Sequence, residues 1–456
     1  MPRALRFLSS PLLLIFFVTL GISSLHALEK QPATTYHARR VALAAKLNGG
    51  AAILFAAEEP LLDFMPYRQD EDFYYLTGWN EPGAALLIVS ESQGNASASI
   101  APRKYREVLF LPTRNLRMEK YTGIKLDAAT PGAAQTAGVD EVQPMTALPE
   151  LLNEYVSKDR NLAYKLWTQP LAPQSQPVVS WLATTLGNGA APATHDVTGL
   201  TAELRIIKDE GELALLKKAA DASIAAQLTM MRATRPGVTE RAIAGKILAT
   251  LMENGCERPS YAPIVGTGIN STTLHYSENS ATLKDGDIMV VDAAGEYSMY
   301  ASDLTRTVPV NGHFTPRQRE IYDVVLGAQR AAIAAFVADK STINDPRHLD
   351  PNSLDTAAWN YINTHGKGLH GELLSDYWIH GLGHMVGINV HDPANYPAVL
   401  KPGMVFTIEP GVYIPEEKIG VRIEDTFVVG QDGKLIDLAA NLPHTADEVE
   451  AAMKSK

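Results

Sequence analysis

Short apolar runs and helical periodicities alternate along this chain of 456 residues. The runs at residues 51–55 and 84–89 are bounded by turn residues and predict buried strands. Apolar residues at helical spacing in 203–231 predict a helix or a pair of helices, and those in 243–251 predict another helix that ends near Gly255. The pattern therefore predicts an N-terminal α/β region and then a second unit that opens with helices.

In the second unit, apolar runs end on acidic residues. The run 287–292 ends on Asp292, and the chain then turns and returns through Asp303. A hairpin centred between Tyr297 and Ser298 would place the two aspartates opposite each other. Directly opposed like charges destabilise a sheet, so a positive group is expected between them.

Two further strand patterns carry glutamates. The apolar run 404–408 precedes Glu409, and the alternation along 421–429 places Arg422 and Glu424 on one face of a strand. One such acid alone is typical of a turn or a cap. Several carboxylates buried together cost too much free energy unless cations neutralise them, so the four acids predict a metal centre.

Three of the twelve histidines lie within residues 380–391, separated by glycines and apolar residues: His380, His384 and His391. Neutral imidazole is a common metal ligand and a proton shuttle near neutral pH. No glutamate follows the first histidine directly, so the zincin pattern is absent and the other ligands must lie elsewhere. Carboxylate-rich ligation with one imidazole favours Mn²⁺ and admits Co²⁺, Fe²⁺ or Zn²⁺. Two such ions, about 3.5–4 Å apart, activate a bridging water.

The first residues, 1–27, have the layout of a secretory signal peptide. Arg3 and Arg6 precede an apolar run that ends near Leu20, and small residues continue to Ala27. The run is too short for a spanning helix, which needs about 20 apolar residues. We expect an exported protein, periplasmic or secreted, that is cleaved after Ala27 and then has no stable membrane insertion; an uncleaved anchor is the alternative.

Composition and length limit the possible binding partners and predict the number of domains. A net charge of −11 makes the chain a poor binder of polyanions, so nucleic acid is not expected. Cys256 is the only cysteine, and the fold must therefore rest on its core without an intramolecular disulfide. The length predicts two or three domains, and the Pro-, Gly- and Ala-rich stretch 187–192 predicts a connection between domains at 28–198 and 199–456.

The order of the motifs resembles a known family, the pita-bread metallopeptidases, and more closely its Xaa-Pro aminopeptidase (aminopeptidase P) and prolidase branch. The motifs that carry the resemblance are Asp292 with Asp303, His-Gly-Leu-Gly-His at 380–384, Thr-Ile-Glu-Pro-Gly around Glu409, Arg-Ile-Glu-Asp around Glu424, and the segments 67–82 and 204–208. Together they cover most of the mature chain.

The resemblance implies a fold and a set of site residues. The fold is α/β of the α+β type, with an N-terminal α/β domain followed by a C-terminal pita-bread catalytic domain that contains a curved antiparallel sheet. Two divalent metal ions would be bound by Asp292, Asp303, His384, Glu409 and Glu424. Asp303 and Glu424 would bridge the ions, and Glu409 would also handle the proton of the attacking water. The implied substrate-binding and catalytic neighbours are His275, His380 and His391, with Arg422 and Tyr413 steadying the ligand carboxylates.

The implied reaction is hydrolysis of the bond between an N-terminal residue and a penultimate proline by a metal-activated hydroxide. That amide lacks an N–H and has a fixed φ, so ordinary exopeptidases handle it badly. A prolidase restricted to Xaa-Pro dipeptides shares the same ligands and remains an alternative, as does an inactive pita-bread binding module. The partners expected are peptides with a penultimate proline and further copies of the chain, in a dimer or tetramer.

Some segments depart from the family or fall outside its motifs. The region 339–377 does not follow the usual helical stretch, and 345–351 is predicted to be a remodelled loop. The short interval 409–424 indicates a trimmed loop near the site. The aromatic stretch 66–79 is predicted to be a strand and a loop that pack their rings, and His444 to be structural or exposed.

Overall fold

The structure of the protein, a computed structural model, describes residues 28–59, 67–98, 100–159, 162, 165–170 and 194–454. The predicted signal peptide at 1–27 and the predicted domain connection at 187–192 lie outside the described residues. Within the described ranges, no helix has the length and apolar character that crossing a membrane requires.

Helices are distributed along the whole described chain. Those of the described residues are α1 (Ala33–Lys46), α2 (Glu71–Thr77), α3 (Glu119–Thr122), α4 (Ala133–Ala137), α5 (Leu148–Lys158), α6 (Thr198–Arg205), α7 (Glu210–Ala233), α8 (Glu240–Glu253), α9 (Pro316–Ala335), α10 (Leu354–His365) and α11 (Ala446–Lys454). The predicted helix pair in 203–231 and the helix before Gly255 are confirmed as α6, α7 and α8.

The strands of the described residues lie in three stretches of the chain, 51–196, 258–309 and 405–437. They are β1 (Ala51–Phe55), β2 (Ala85–Val89), β3 (Arg106–Leu111), β4 (Val142–Pro144), β5 (Leu166–Thr168), β6 (His195–Asp196), β7 (Arg258–Pro259), β8 (Ile264–Thr267), β9 (Ile288–Asp292), β10 (Gly295–Tyr297), β11 (Tyr300–Ala301), β12 (Thr305–Pro309), β13 (Val405–Ile408), β14 (Gly411–Ile414), β15 (Ile419–Arg422), β16 (Asp425–Val429) and β17 (Leu435–Asp437).

The N-terminal domain contains one mixed sheet in the order β4-β3-β2-β1-β5-β6. Strands β1, β2 and β3 are antiparallel neighbours, whereas β4, β5 and β6 run parallel to the strands beside them. Alternate residues of β1 enter two separate cores, with Leu54 in one and Ile53 in the other. Both faces of the sheet are therefore covered, which explains why β1 and β2 are uninterrupted apolar runs.

The prediction of a strand in the aromatic stretch is wrong, because residues 71–77 form helix α2. Asp70 caps the helix by accepting a hydrogen bond from the Phe73 N–H at 2.8 Å. Gly78 ends it in the left-handed conformation, with φ of 62°. The aromatic residues of the helix are buried, so the packing of their rings is observed even though the element type differs.

The C-terminal domain is built from antiparallel ladders covered by helices. The ladders have the orders β11-β10-β7, β12-β9-β8, β13-β16-β17 and β14-β15. Isolated bridges such as Thr305 with Glu424 connect them, so the sheet is divided by breaks in the strands. One large apolar core lies between these ladders and helices α7 to α10. The predicted class, an N-terminal α/β domain followed by an antiparallel C-terminal domain, is confirmed.

The hairpin that carries the two aspartates has a different register from the predicted one. Its turn is formed by Ser298 and Met299, which both have positive φ values of 50° and 74°. Thr305 therefore lies opposite Asp292, and the predicted pairing of Asp292 with Asp303 is wrong by two residues. Because side chains alternate with a period of two, this shift keeps both carboxylates on the same face.

The domain limits of 28–198 and 199–456 stay a prediction. Strand β6 still belongs to the N-terminal sheet, and helix α6 begins at Thr198. The departing region 339–377 contains an irregular stretch followed by α10, and the interval 409–424 is a hairpin of β14 and β15.

Candidate metal centre

Strand ends bring four acidic side chains together. Asp292 is the last residue of β9, and Asp303 lies between β11 and β12. Glu409 follows β13, and Glu424 lies in the short break between β15 and β16. The predicted continuous strand over 421–429 is therefore interrupted at Ile423 and Glu424, which turns this carboxylate toward the Thr305 strand.

A tyrosine that the sequence patterns did not single out lies between the two aspartates. The Tyr261 hydroxyl is 2.5 Å from Asp292 Oδ1 and 2.6 Å from Asp303 Oδ1. Burial raises the pKa of Tyr261 well above its usual value, so the hydroxyl stays protonated and acts as a donor. Burial also raises the pKa of Asp292, even though a nearby arginine opposes this.

That arginine is Arg422, which lies fully inside the site. Its Nη2 donates to Asp292 Oδ2 at 2.7 Å, and its Nη1 donates to the Tyr413 hydroxyl at 2.8 Å. Its Nε donates to Thr305 Oγ1 at 3.2 Å. The positive group expected near the aspartates thus includes Arg422, which orients one carboxylate of the pair. Burial raises the pKa of Tyr413 to about 12, so this hydroxyl is neutral.

The two carboxylate oxygens of Glu424 have different surroundings. Its Oε2 accepts a hydrogen bond from Thr305 Oγ1 at 2.7 Å, but its buried Oε1 has no hydrogen-bond partner among the residues that the structure describes. Burial, followed by the charges of Asp303 and Glu409, raises the pKa of Glu424 well above its usual value. A buried carboxylate oxygen without a donor is unfavourable, and a cation beside it removes that penalty.

His384 faces two of the carboxylates. Its Nε2 is 3.3 Å from both Asp303 Oδ2 and Glu409 Oε1, while its Nδ1 is 3.2 Å from the Met385 carbonyl. Burial lowers the pKa of His384, but the hydrogen bond and charge of Asp303 and the charge of Glu409 outweigh burial and raise it to about 9. Burial raises the pKa of Glu409 to about 7. Nδ1 is thus engaged by the backbone, and Nε2 points into the centre.

The backbone around His384 is fixed against strand β13. The Glu409 N–H donates to the Leu382 carbonyl at 2.8 Å, and the Thr407 N–H donates to the His384 carbonyl at 2.9 Å. A Cβ atom on Gly383 would lie 2.1 Å from the Thr407 carbonyl oxygen, so only glycine fits there. This glycine allows close packing on β13.

The other predicted histidines surround the same centre. The His391 ring stacks on the His384 ring with centroids 3.7 Å apart, and His380 Nε2 lies 2.9 Å from the Tyr413 hydroxyl. Burial lowers the pKa of His380 to about 4 and also lowers that of His391, so both are neutral near pH 7. His275 is exposed and contributes to lowering the pKa of both.

Three groups of side chains place their ligand atoms within 4.8 Å of one another at this centre: Asp292 with Asp303 and Glu424; His384 with Glu409 and Glu424; and Asp303 with His384 and His391. The first two groups contain all five predicted ligands and share Glu424. Two neighbouring cation positions that share a carboxylate fit this arrangement. The third group shows that His391 is also within reach of a cation near His384.

An antiparallel domain that gathers four carboxylates at strand ends, with one histidine from a neighbouring loop, provides the donor set of a metal-dependent enzyme. Residues 214–431 match Metallopeptidase family M24, and residues 36–164 match Aminopeptidase P, N-terminal domain. The chain belongs to metallopeptidase family M24, in its Xaa-Pro aminopeptidase branch. The family implies divalent metal ions, and the donor set described above fits them.

Similar proteins extend over nearly the whole chain. The Xaa-Pro aminopeptidase of Escherichia coli (strain K12) is 33% identical over 446 residues, which cover 92% of this chain and 97% of that protein. A variant of Escherichia coli aminopeptidase P in complex with substrate has a TM-score of 0.79 at 31% identity and covers 93% of this chain and 99% of its own. A zinc-substituted form in complex with product has a TM-score of 0.78 at 31% identity, with the same coverage.

Proposed function

We propose that this protein is an exported Xaa-Pro aminopeptidase that releases the N-terminal residue from peptides with a penultimate proline. The observation that carries the proposal is the convergence of four carboxylates and one imidazole at a centre where a buried Glu424 oxygen has no hydrogen-bond partner among the described residues. The relatives named Xaa-Pro aminopeptidase support the substrate class.

We assign Asp292, Asp303, His384, Glu409 and Glu424 as metal ligands, with Asp303 and Glu424 as the bridging pair. When bound, two divalent ions lower the pKa of water and polarise the scissile carbonyl. The four carboxylates and single imidazole favour Mn²⁺, with Zn²⁺, Co²⁺ or Fe²⁺ as alternatives. Arg422, which also donates to the Tyr413 hydroxyl, holds Asp292 in place. Glu409, beside His384, would take the proton of the attacking water.

The substrate is held by the histidines around the centre. His380 and His391 have lowered pKa values, so both are neutral imidazoles with one N–H each. The N–H of His380 is at Nδ1 and donates to the Gly381 carbonyl at 2.8 Å, while its Nε2 accepts from the Tyr413 hydroxyl at 2.9 Å. His391 is therefore the one of the two that can donate a hydrogen bond to a substrate carbonyl oxygen. We assign His275, whose charge contributes to lowering both pKa values, to the same substrate-binding set. Donors that are aimed at the oxygen where charge develops stabilise the tetrahedral intermediate.

One assay tests reaction, metal and substrate length together. The mature protein would be incubated with Ala-Pro-Ala, Ala-Pro and Ala-Ala-Ala after EDTA treatment and after addition of Mn²⁺ or Zn²⁺. We expect cleavage of Ala-Pro-Ala only after metal addition, and no cleavage of Ala-Ala-Ala. Cleavage of Ala-Pro alone would replace the proposal with a prolidase, and no cleavage with any metal would favour a binding module.

Two variants separate the metal centre from general effects. Glu424→Gln keeps the shape of the side chain but removes the charge shared by the two cation positions, so we expect loss of both metal binding and cleavage. Glu154→Gln changes an exposed glutamate that pairs with Lys158 and serves as the matched control. Equal metal content in the two variants, measured by elemental analysis, would show that Glu424 is not a metal ligand.

Export and assembly are further parts of the proposal. The signal-peptide pattern at 1–27 supports periplasmic or secreted localisation, with domains at 28–198 and 199–456. Expression with and without residues 1–27, followed by cell fractionation, tests export. Light scattering of the mature protein tests the proposed dimer or tetramer.

A further inference from the structure

Behind His391 lies a buried group of charged side chains that we name the Asp392 cluster, formed by Asp72, Arg205, Lys208, Asn389 and Asp392. Arg205 donates from Nη1 to Asp72 Oδ1 at 2.8 Å and from Nη2 to Asp392 Oδ1 at 2.5 Å. Lys208 Nζ donates to the second oxygen, Asp392 Oδ2, at 3.0 Å. The same Nη2 of Arg205 also donates to Asn389 Oδ1 at 2.5 Å.

The cluster is balanced in charge and almost fully shielded from water. The side chains of Asp392 and Lys208 are each 1% exposed, and that of Arg205 is 3% exposed. Burial raises the pKa of Asp392, but the charges of Lys208 and Arg205 outweigh it and lower this pKa. Ion pairs at such depth gain little net stability, because desolvation cancels most of their attraction. A role in fixing a geometry therefore explains them better than stability does.

The geometry that the cluster fixes is that of the loop carrying His391. The Asp392 N–H donates to the Met385 carbonyl at 2.8 Å, and the Asn389 N–H donates to Asp392 Oδ1 at 3.2 Å. A Cβ atom on Gly387 would lie 2.5 Å from Asp392 Oδ2, so the loop is wrapped closely around this carboxylate. His391, which precedes Asp392 directly, is thereby held against the His384 ring.

The cluster also joins parts of the chain that the metal centre does not use. Asp72 lies in α2 of the N-terminal domain, Arg205 ends α6, and Lys208 lies in the short link before α7. These positions fall in the segments 67–82 and 204–208, which carry the family resemblance but hold no predicted ligand. The N-terminal domain thus contacts the His391 loop through this chain of charges, in addition to the hydrogen bond from Arg68 Nη2 to the Ile388 carbonyl at 3.0 Å.

We propose that Asp392, Arg205 and Lys208 are positioning residues that set the orientation of His391 against His384, and that Asp72 couples the N-terminal domain to this orientation. The predicted effect of these residues on catalysis rests on the proposed function. The predicted orientation of His391 rests only on the hydrogen bonds of the Asp392 cluster and on the contact between the His391 and His384 rings.

The first test measures orientation in the metal-free full-length mature protein. Histidine-selective ¹³C and ¹⁵N labelling gives imidazole signals, and the His391→Ala variant assigns that of His391. We expect Asp392→Asn and the milder Lys208→Met to shift the His391 and His384 signals while other histidine signals stay in place. Lys217→Met, which breaks the exposed pair with Asp221 in α7, is the matched control and should shift neither. Unshifted signals in a folded Lys208→Met protein would overturn the proposal.

The second test asks whether Asp392 acts through His391. Loss of an outer partner of a site residue costs about 10- to 100-fold in activity, so we expect Asp392→Asn to lower kcat/KM for Ala-Pro-Ala by about that factor. In the His391→Ala background, the same change should have an effect below about twofold. An equal loss in both backgrounds would mean a structural role only. If the wild type cleaves no Xaa-Pro peptide, the proposed function fails, and the labelling experiment alone decides the positioning role.

Discussion

In the protein freed of divalent ions, the free energy of unfolding should decrease as the pH rises from 6.5 to about 8.5. The group responsible is His384, whose pKa is raised to about 9 in the folded metal-free protein from the usual 6.5. A folded-state pKa above the unfolded value stabilises the fold fully below pH 6.5, and this contribution is lost as the pH approaches 9. Integration over the stated window gives a loss of about 2 kcal/mol. Glu409, whose pKa is raised to about 7, acts in the same direction at lower pH.

Metal ions should reverse the sign of this dependence. Ligands must be deprotonated to bind a cation, so the stability of the loaded protein should rise with pH over the same window. The measurement is urea unfolding at 25 °C, followed by tryptophan fluorescence in EDTA or in excess Mn²⁺. His384→Asn should flatten the metal-free dependence, whereas His365→Asn, at an exposed helix end, should leave it unchanged. A metal-free protein that is equally stable at both pH values, or a dependence that survives in His384→Asn, would refute the reasoning.

Three substitutions test other contacts of the centre. Glu409→Gln should lower kcat by about 10²-fold or more, because it removes the group that accepts the proton. Kinetics on Ala-Pro-Ala, with metal content measured in parallel, checks this prediction. An unchanged kcat would contradict it. Arg422→Met should destabilise the metal-free protein by about 3–5 kcal/mol, since it leaves the buried Asp292 carboxylate without the guanidinium that pairs with it. Urea unfolding measures the loss. A change under about 1 kcal/mol would mean that the Arg422–Asp292 pair contributes no more than an exposed ion pair. Gly383→Ala should cost at least about 1–3 kcal/mol, because its Cβ would lie 2.1 Å from the Thr407 carbonyl oxygen, whereas Gly245→Ala, in open space on α8, should be neutral or stabilising by about 0.5–1 kcal/mol. Equal unfolding midpoints for the two alanine variants would show that the backbone around His384 is not tightly packed.

Several features of the fold could be predicted because they depend on local pattern. The strands β1 and β2 are uninterrupted apolar runs, and β9 and β13 are apolar except for Asp292 and Thr407, since both faces of these strands are largely buried. Helices α7 and α8 follow apolar residues at helical spacing and begin at the capping residues Asp209 and Thr239. The candidate site followed from the same patterns, because acids that end apolar strands need a shared cation.

Other local features of the fold are not encoded in the pattern of apolar residues. The hairpin register follows from two consecutive left-handed residues, Ser298 and Met299, neither of which is a typical turn residue for that conformation. The sequence predicts a strand where helix α2 lies, because aromatic residues favour strands and only one glycine, Gly78, indicates the end of a helix.

The chain alone determined which residue types end its strands, and hence the class of chemistry, because burial of acidic side chains requires compensation wherever they occur. Only the tertiary structure decided how these groups meet. Tyr261 lies between two aspartates, and one Glu424 oxygen has no donor in the described part of the chain, because separate strands converge there. No local periodicity encodes that convergence. The Asp392 cluster likewise joins residues that are more than a hundred positions apart, and it exists only because the N-terminal domain packs against the loop that carries His391.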